Sequence, residues 1–465
     1  MASAQAPLSP TSSKRSRSRE STSPLSTPAA STPAASTPAA TPSASPRTHS
    51  LAIPSPAPST PSTADPQAPD GTPYPAFLRP GRRPELDVQW TRLETAQLER
   101  LRDGVQAQAG GADQHSGFAR CNSAAHVARN RYVNVDPYQA NRVRLAVPPG
   151  HDDYINASPI VLASTKSATP LRYIATQGPK NDSWSHIWRM IWKENQDPAV
   201  VVMLTQTHEA GREKCFPYYP QSPSSPDMRI NQEDEFGDGL IHRLHLAALS
   251  QDEDARTEVR EMDMTTDDGS ESRKIWHLLF AAWPDFSVPE GADRAALLRL
   301  VDVSRHKNGD NATNPRIVHC SAGIGRSGTF IALDWLLQEL DEGSLDEAPD
   351  NEDPVITVIA KLRDQRAGMV QSKNQFLFLY DTLREQWRER WIAAHPAEAA
   401  DLGITSTPPR SDSEPALKRQ KSMRGDDGTL QTTSHVSDAA SNPDARAALE
   451  AELMDADMTY EKGKT

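Results

Sequence analysis

The segment VHCSAGIGRSGTF, residues 318–330, places a cysteine and an arginine at the two ends of a glycine-rich turn. Cys320 and Arg326 bracket five residues, two of which are glycines. A thiolate is a nucleophile, and a planar guanidinium binds two phosphate oxygens at once. The backbone N–H groups of such a turn, with the positive end of a following helix, form an anion site that favours the thiolate. The segment therefore predicts attack of a sulfur on a phosphate monoester.

The same letters contain Gly323-x-Gly325-x-x-Gly328, which is typical of a dinucleotide-binding turn. That site requires an acidic residue about 20 positions later, at the end of a strand. Here the corresponding stretch is QELDEGSLDEAPDNED, an acidic loop without a β-branched strand before it. A nucleoside triphosphate loop does not fit either, because no Lys-Ser/Thr pair follows the glycines.

Taken singly, a cysteine in an apolar strand is most often a small core residue, and an arginine is most often a surface charge. Their spacing around two glycines favours chemistry instead. The letters HCSAGIGR resemble the signature loop of the protein tyrosine phosphatases. The resemblance implies that Cys320 is the nucleophile, Arg326 binds the phosphoryl group and Ser327 stabilises the departing thiolate. His319 is expected to orient the loop. The expected phosphate cradle is the segment Ser321, Ala322, Gly323, Ile324 and Gly325.

Two further segments resemble loops of that family. WPDFSVP, residues 283–289, resembles the mobile acid loop, in which Asp285 protonates the tyrosine oxygen and then acts as base for water. RNRYVNVDPY, residues 129–138, resembles the phosphotyrosine-recognition loop. There Tyr132 is expected to stack on the substrate ring and deepen the pocket, and Asn134 stands where many members carry Asp.

MVQSKNQF, residues 369–376, resembles the loop that positions water for the second chemical step. The resemblance assigns that role to Gln371 and Gln375, with Arg363 as a scaffold for the loop. Other segments resemble the family's sheet and core motifs: DYINAS at 153–158, YIATQGP at 173–179, IWRMIW at 187–192 and VVMLTQTHEAGREKCFPYYP at 201–220.

The family resemblance covers about residues 85 to 395. It implies a phosphotyrosine-specific, non-receptor phosphatase that works through a phosphocysteine, without a cofactor or a metal. The resemblance also implies supporting roles for Glu209 and Lys214, whereas Cys121 and Cys215 are interpreted as unreactive packing residues. Two alternatives remain open. An inactive phosphotyrosine-binding scaffold is disfavoured because nucleophile, arginine and acid are all present, and a dual-specificity phosphatase is disfavoured by the Tyr132 loop.

Composition restricts the possible partners. The formal net charge is −12, which argues against nucleic acid as the main partner. Three widely spaced cysteines cannot build a disulfide framework or paired zinc ligands, which indicates a reducing compartment. The longest aliphatic run is far shorter than the roughly 20 residues that a bilayer needs. We therefore expect a cytoplasmic protein without a membrane partner, and a monomer that acts on phosphotyrosine-containing proteins, with a MAP kinase as one hypothesis.

The elements that must position these residues form an α/β (α+β) fold, a twisted mixed sheet flanked by helices. Strands are expected at 154–158, 173–176, 200–204, 275–282 and 317–318, and helices at 85–105, 333–340, 355–366 and 375–391. Acidic stretches at 231–239, 251–271 and 341–353 are interpreted as surface loops.

The domain organisation is expected to be one catalytic domain, 85–395, between two disordered tails, 1–84 and 396–465. The first tail is rich in Ser, Thr, Pro and Ala, with STPAA repeated in tandem, and the second is rich in Ser, Thr, Asp and Pro. Short basic runs at 14–19 and 418–421 are candidate nuclear import signals, which makes the nucleus a second expected location.

Overall fold

The computed structural model describes residues 71–109, 116–283 and 287–404. The α-helices are α1 (Arg83–Ala109), α2 (Ala124–Arg129), α3 (Ser185–Glu194), α4 (Ala292–Asn308), α5 (Gly325–Asp341), α6 (Pro354–Gln365), α7 (Lys373–Ala394) and α8 (Pro396–Asp401). Short 3-10 helices lie at Ala76–Leu78 and Gln139–Asn141. None of the helices in these described ranges is both long enough and apolar enough to cross a membrane.

Eight strands form one mixed sheet, in the order β1 (Ala157–Ala163), β2 (Pro170–Thr176), β10 (Arg316–His319), β3 (Ala199–Met203), β9 (Ser272–Phe280), β8 (Thr257–Thr266), β7 (His242–Asp252) and β6 (Asp227–Ile230). The short strands β4 (His208–Glu209) and β5 (Arg212–Glu213) pair separately. Strands β2, β10, β3 and β9 run parallel, and the outer pairs are antiparallel. The predicted fold class is confirmed.

The parallel centre of the sheet is buried on both faces. Along β3, Val200 and Val202 pack into one apolar cluster, while Val201 and Met203 pack into another. Strands buried in this way consist of nearly continuous apolar residues, which is why the sequence shows them clearly. Ligands of such sheets bind beyond the carboxyl ends of the parallel strands. Strand β10 ends there at His319, directly before Cys320.

A side-chain amide occupies the free edge of the sheet at β1. Gln365 Oε1 accepts a hydrogen bond from the Val161 backbone N–H at 2.8 Å, and Gln365 Nε2 donates to the Val161 carbonyl at 3.1 Å. The amide thereby makes both hydrogen bonds that a neighbouring strand would make at this residue.

The acidic stretch 251–271 was predicted to be a loop, but most of it forms strand β8 and the end of β7. In β8, Thr257, Val259, Met262 and Met264 are buried, while the acidic residues between them are partly exposed. An antiparallel strand with one face toward water accepts charges on that face. The sequence prediction considered only how many acidic residues this stretch contains. It did not consider that they alternate with apolar residues, so it missed the strand. Helix α4 was likewise not predicted.

The folded unit extends beyond both predicted boundaries. Residues 71–84 were assigned to the first tail, but Tyr74, Phe77 and Leu78 in this segment are buried in the core. Residues 396–404 were assigned to the second tail, but Ala399 and Ile404 are buried as well. A few apolar residues inside polar surroundings anchor these segments, and average composition does not reveal them. The rest of both predicted tails, 1–70 and 405–465, lies outside the described residues.

Leu78 provides a test of this boundary. Leu78→Ala should lower the free energy of unfolding by about 3 kcal/mol, because it removes a buried side chain and leaves a cavity. Leu78 is 0% exposed, whereas Leu98 on helix α1 is 63% exposed. The matched control Leu98→Ala should therefore change stability by less than about 0.5 kcal/mol. Urea denaturation measures both values. Equal effects would show that residues 71–84 do not belong to the folded unit.

Candidate active site

The loop between β10 and α5 folds back onto the sulfur of Cys320. The Gly323 backbone N–H donates a hydrogen bond to Cys320 Sγ at 3.3 Å. Helix α5 begins two residues later, and no side chain caps its first turn. Its N-terminal N–H groups carry the positive end of the helix dipole, so they favour an anion at this position. Cys320 is therefore placed where a thiolate and a bound phosphate are both stabilised.

Gly323 is required for the shape of this loop. Its φ angle is +73°, in the region that side chains rarely allow, and a Cβ atom here would lie 2.2 Å from the Thr176 carbonyl oxygen. The loop therefore passes directly against the end of β2. Only glycine permits both the turn and this close approach.

Arg366 holds the loop from behind, and the sequence analysis did not identify it. Its guanidinium is fully buried and donates to the carbonyl oxygens of Gly323 at 2.9 Å and Ala322 at 3.3 Å. It also donates to the Asn156 Oδ1 and Ser158 Oγ atoms. Burial lowers the pKa of Arg366 to about 10. Two carbonyls of the loop thus point toward a buried cation, away from the anion site.

Arg326 is held by a carboxylate. Glu209, in strand β4, accepts two hydrogen bonds from the Arg326 guanidinium at 2.6 and 2.8 Å, and the Leu204 carbonyl accepts one at 3.1 Å. Burial by itself raises the pKa of Glu209, but the hydrogen bonds and charge of Arg326 outweigh it and lower the pKa. The supporting role predicted for Glu209 therefore has a specific geometry. The ion pair fixes the orientation of the arginine.

Arg363 connects the predicted water-positioning loop to helix α1, as a scaffold would. It is buried and donates to the carbonyls of Met369 and Val370 at 3.0 Å each. It also donates to the Leu93 carbonyl at 3.0 Å and pairs with Glu94 at 2.8 Å. Val370 has a φ angle of +57°, which is strained for a β-branched residue. The arginine bonds hold this strained turn in place, directly before Gln371.

Gln371 and Gln375 lie against the start of helix α5. A Cβ atom on Gly325 would be 3.0 Å from Gln371 Oε1 and 3.1 Å from Gln375 Nε2. The two glutamine side chains differ in their hydrogen bonds and in their exposure. Gln375 Oε1 accepts hydrogen bonds from the backbone N–H groups of Gln371 and Ser372, which caps helix α7. The Gln371 side chain is exposed, so it is the better placed of the two to orient water.

Tyr132 forms one wall of the site. Its hydroxyl lies 2.8 Å from Ser321 Oγ, and that hydroxyl donates to the Lys214 carbonyl at 2.9 Å. Arg131 anchors the loop through hydrogen bonds to the carbonyls of the segment 178–179. Asn134 is exposed on the rim. The structure thus brings the predicted recognition loop to the predicted phosphate cradle.

His319 lies behind the loop rather than in the cavity. It is fully buried, its Nδ1 lies 3.1 Å from the Cys320 carbonyl, and its Nε2 lies 2.7 Å from the Tyr218 hydroxyl. Burial lowers the pKa of His319 to about 4. A neutral ring that donates to the carbonyl orients the peptide bond of Cys320. His319 is therefore a positioning residue rather than a group that touches substrate.

Ser327 and Asp285 were also predicted to act in the reaction. Ser327 is buried, and its hydroxyl has no hydrogen-bond partner within the described part of the chain. Asp285 lies outside the described residues, so the predicted acid remains a prediction. The residues on either side of 284–286 are described: Trp283 is buried, and its Nε1 donates to the Ser287 carbonyl at 3.1 Å. In the ranges described, no group of three or more His, Cys, Asp or Glu side chains is arranged to hold a metal.

Comparisons with known proteins agree with this geometry. A family model described as Protein-tyrosine phosphatase matches residues 126–385. Tyrosine-protein phosphatase 1 of Saccharomyces cerevisiae is 36% identical over 278 residues, which cover 54% of this chain and 80% of the relative. Tyrosine-protein phosphatase 2 of Schizosaccharomyces pombe is 35% identical over 269 residues, which cover 57% of this chain and 35% of the relative.

Solved structures show the same architecture. The catalytic domain of human protein tyrosine phosphatase non-receptor type 18 has a TM-score of 0.52 and 28% identity, and the match covers 67% of this chain and 99% of that one. PTPN18 in complex with HER2 phosphopeptides has a TM-score of 0.53 and 28% identity, and covers 67% and 98% of the two chains.

The loop geometry predicts that Gly323→Ala weakens anion binding. The added Cβ atom displaces the N–H group that faces Cys320. Losing one charge-assisted hydrogen bond costs about 1.5–3 kcal/mol, so inorganic phosphate should bind about tenfold to 100-fold more weakly. Isothermal titration calorimetry measures the affinity. Gly309→Ala is the matched control, because its φ angle is +71° and no atom lies within 4 Å of the added Cβ. Equal phosphate affinity in both variants would contradict this role of Gly323.

His319 predicts a pH dependence of stability. Its folded-state pKa is about 4, whereas the unfolded ring titrates near pH 6.5. Between these values the unfolded chain binds a proton that the folded protein does not. The free energy of unfolding should therefore rise from about pH 4 to 6.5, with about 3 kcal/mol of that rise from this residue. Urea denaturation of His319→Gln should show a shallower slope. An unchanged slope would contradict the buried neutral ring.

Proposed function

This chain belongs to the protein-tyrosine phosphatase family and dephosphorylates phosphotyrosine in proteins, and we propose that it does so through a phosphocysteine formed on Cys320. The observation that carries this mechanism is the hydrogen bond from the Gly323 N–H to Cys320 Sγ, at the start of helix α5. A sulfur that accepts a backbone N–H bond beside a helix N-terminus is stabilised as the thiolate that attack on phosphorus requires.

In the first step, Cys320 Sγ attacks phosphorus and the bond to the tyrosine oxygen breaks. Arg326, held by Glu209, binds two equatorial phosphoryl oxygens and stabilises the charge of the transition state. Asp285 gives its proton to the departing tyrosine oxygen, which leaves as a neutral phenol. The product of this step is the phosphocysteine.

In the second step, water attacks the phosphocysteine. Asp285 takes a proton from that water, and the exposed Gln371 side chain orients it. Sulfur then leaves as a thiolate, and the Ser327 hydroxyl, which is buried and lacks a hydrogen-bond partner among the described residues, is available to stabilise it. Inorganic phosphate is released and the enzyme is regenerated. Gln375, whose side chain caps helix α7, acts mainly by holding the loop.

The position of Tyr132 favours phosphotyrosine over phosphoserine and phosphothreonine. Tyr132 contacts the catalytic loop through Ser321, so a wall of the cavity stands beside the nucleophile. A phosphate on a short aliphatic side chain does not extend far enough past such a wall. PTPN18, a structural relative, has been solved with HER2 phosphopeptides, which supports peptides as substrates of this chain.

We further propose a monomeric enzyme that acts in kinase signalling, in the cytoplasm and the nucleus. A MAP kinase is one candidate substrate, because the tail 1–84 contains many Ser-Pro and Thr-Pro pairs. The nuclear assignment rests on the basic runs at 14–19 and 418–421, and both lie outside the described residues. Identification of the proteins retained by the Asp285→Ala variant tests the proposed substrate. Imaging of the full-length chain tests the proposed location.

The mechanism predicts distinct behaviour for two variants. Cys320→Ser should abolish turnover of an aryl phosphate yet still bind a phosphotyrosine peptide, because the cradle remains and the nucleophile is lost. Asp285→Ala should slow turnover by about 10² to 10⁴-fold, since general acid catalysis contributes about that much. Steady-state kinetics and peptide titration measure both effects.

Cys215→Ser is the control, since that buried thiol lies outside the cradle, and it should retain activity. Normal turnover by Cys320→Ser would refute the phosphocysteine. Hydrolysis of phosphothreonine peptides as fast as phosphotyrosine peptides would favour the dual-specificity alternative. Phosphotyrosine binding without turnover in the unaltered chain would favour the inactive scaffold.

A further inference from the structure

Cys121 lies outside the catalytic loop and contacts a base. Its Sγ lies 3.1 Å from His126 Nδ1, and His126 Nε2 lies 3.3 Å from Asp152 Oδ1. The His126 ring is stacked on Tyr154, with centroids 4.2 Å apart and an angle of 8° between the planes. The thiol, the base and the carboxylate that orients the base therefore follow one another in the order that activates a nucleophile.

We propose that Cys121 is a second oxidisable thiol, which hydrogen peroxide converts to a sulfenic acid with His126 as the base. The sequence analysis interpreted Cys121 as an unreactive packing residue, because His126 and Asp152 are not recognisable as its partners from spacing alone. This site is separate from the phosphatase reaction and does not depend on it.

Access to Cys121 resembles access to the nucleophile. Cys121 and Cys320 are both 4% exposed, whereas Cys215 is 0% exposed. The Cys215 thiol donates to a backbone carbonyl, that of Phe216, at 3.3 Å, whereas the Cys121 thiol contacts a histidine ring. Hydrogen peroxide is close to water in size, so a narrow opening admits it. Cys121 and Cys215 can therefore be compared within one chain, because both are non-catalytic thiols and they differ in the group that the thiol contacts and in exposure.

The surroundings explain why a base is needed. Burial raises the pKa of the Cys121 thiol, Arg142 opposes this effect, and Asp136, Asp152 and Asp153 add to it. The sulfur therefore keeps its proton at rest and is a poor nucleophile alone. With the proton on sulfur, the S–H group donates to His126 Nδ1. His126 Nε2–H then donates to Asp152, which holds the ring ready to accept the proton.

The oxidation is balanced in atoms and electrons. Cys121 Sγ attacks one oxygen of hydrogen peroxide, and its proton passes to His126 Nδ1. The O–O bond breaks, and the departing hydroxide takes that proton from His126 and leaves as water. Sulfur loses two electrons and becomes the sulfenic acid, while peroxide oxygen is reduced. A cellular thiol can then reverse the oxidation through a mixed disulfide.

The position of Cys121 connects this site to the recognition loop. The Cys121 backbone N–H donates to the Pro137 carbonyl at 3.1 Å. The preceding residue, Arg120, donates to the Asn134 carbonyl at 2.7 Å and to Asp136 at 2.6 Å. An oxygen added to Sγ needs space beside these contacts. Oxidation at Cys121 therefore displaces the loop that carries Tyr132 and weakens peptide binding.

The test uses the full chain with Cys320→Ser, which removes the catalytic thiol from the reaction. Hydrogen peroxide is added with dimedone, which traps sulfenic acids, and peptide mass spectrometry follows labelling at each cysteine. Cys121 should be labelled at least about tenfold faster than Cys215, because general base assistance is worth about 10² to 10⁴-fold. Equal rates at the two cysteines would overturn the proposal.

Two variants test the role of the base. His126→Phe keeps a flat ring on Tyr154 but cannot accept a proton, so Cys121 labelling should fall at least about tenfold. Asp152→Asn should reduce it less, because the base stays but loses its orienting charge. Unchanged Cys121 labelling in His126→Phe would overturn the proposal. Fast labelling of Cys215 would reveal that His126→Phe has unfolded. In that case, unchanged Cys121 labelling in Asp152→Asn would overturn the proposal.

Coupling to the recognition loop is tested by peptide affinity in the same Cys320→Ser background. Titration with a phosphotyrosine peptide before and after peroxide should show at least about threefold weaker binding after oxidation, a fraction of the energy of one hydrogen bond. The double variant Cys121→Ala with Cys320→Ser should show no change. Equal losses in both proteins would assign the effect to another residue and contradict the coupling.

Discussion

The catalytic loop depends on a buried cation that pulls carbonyl groups away from the anion site. Arg366 binds the carbonyls of Ala322 and Gly323, and a peptide plane whose carbonyl is held on one side presents its N–H on the other. His319 acts in the same way on the Cys320 carbonyl. A chain with a net charge of −12 thus builds a local site for a dianion from backbone amides.

Two further arginines, Arg326 and the buried Arg363, stabilise the arrangement around the site. Arg326 is oriented by Glu209, and Arg363 joins the turn before Gln371 to helix α1. A guanidinium has five N–H donors in a rigid plane, so one residue can fix several backbone carbonyls that no sheet or helix satisfies. These interactions connect segments that are far apart in sequence. The catalytic groups keep their positions because each is held by a residue from another segment.

The sequence was most informative where function is local. Cys320 and Arg326 lie within one turn, so their spacing alone indicated phosphate chemistry, and β3 was visible because its residues are continuously apolar. Arg366 could not be predicted, because its partners are 43 and 44 positions away and are backbone carbonyls without a sequence signature. Strand β8 was hidden by acidic residues on its solvent face. The partners of Cys121 were hidden because Asp152 comes from a distant loop.

The side-chain amide of Gln365, in helix α6, covers the backbone of Val161 in the outermost strand, β1. An unpaired strand edge recruits extended segments of other chains, and it is a common origin of fibrillar association. Here the exposed backbone of Val161 already has its hydrogen bonds. At Val161 the sheet therefore offers no template on which an extended segment of a neighbouring molecule can grow.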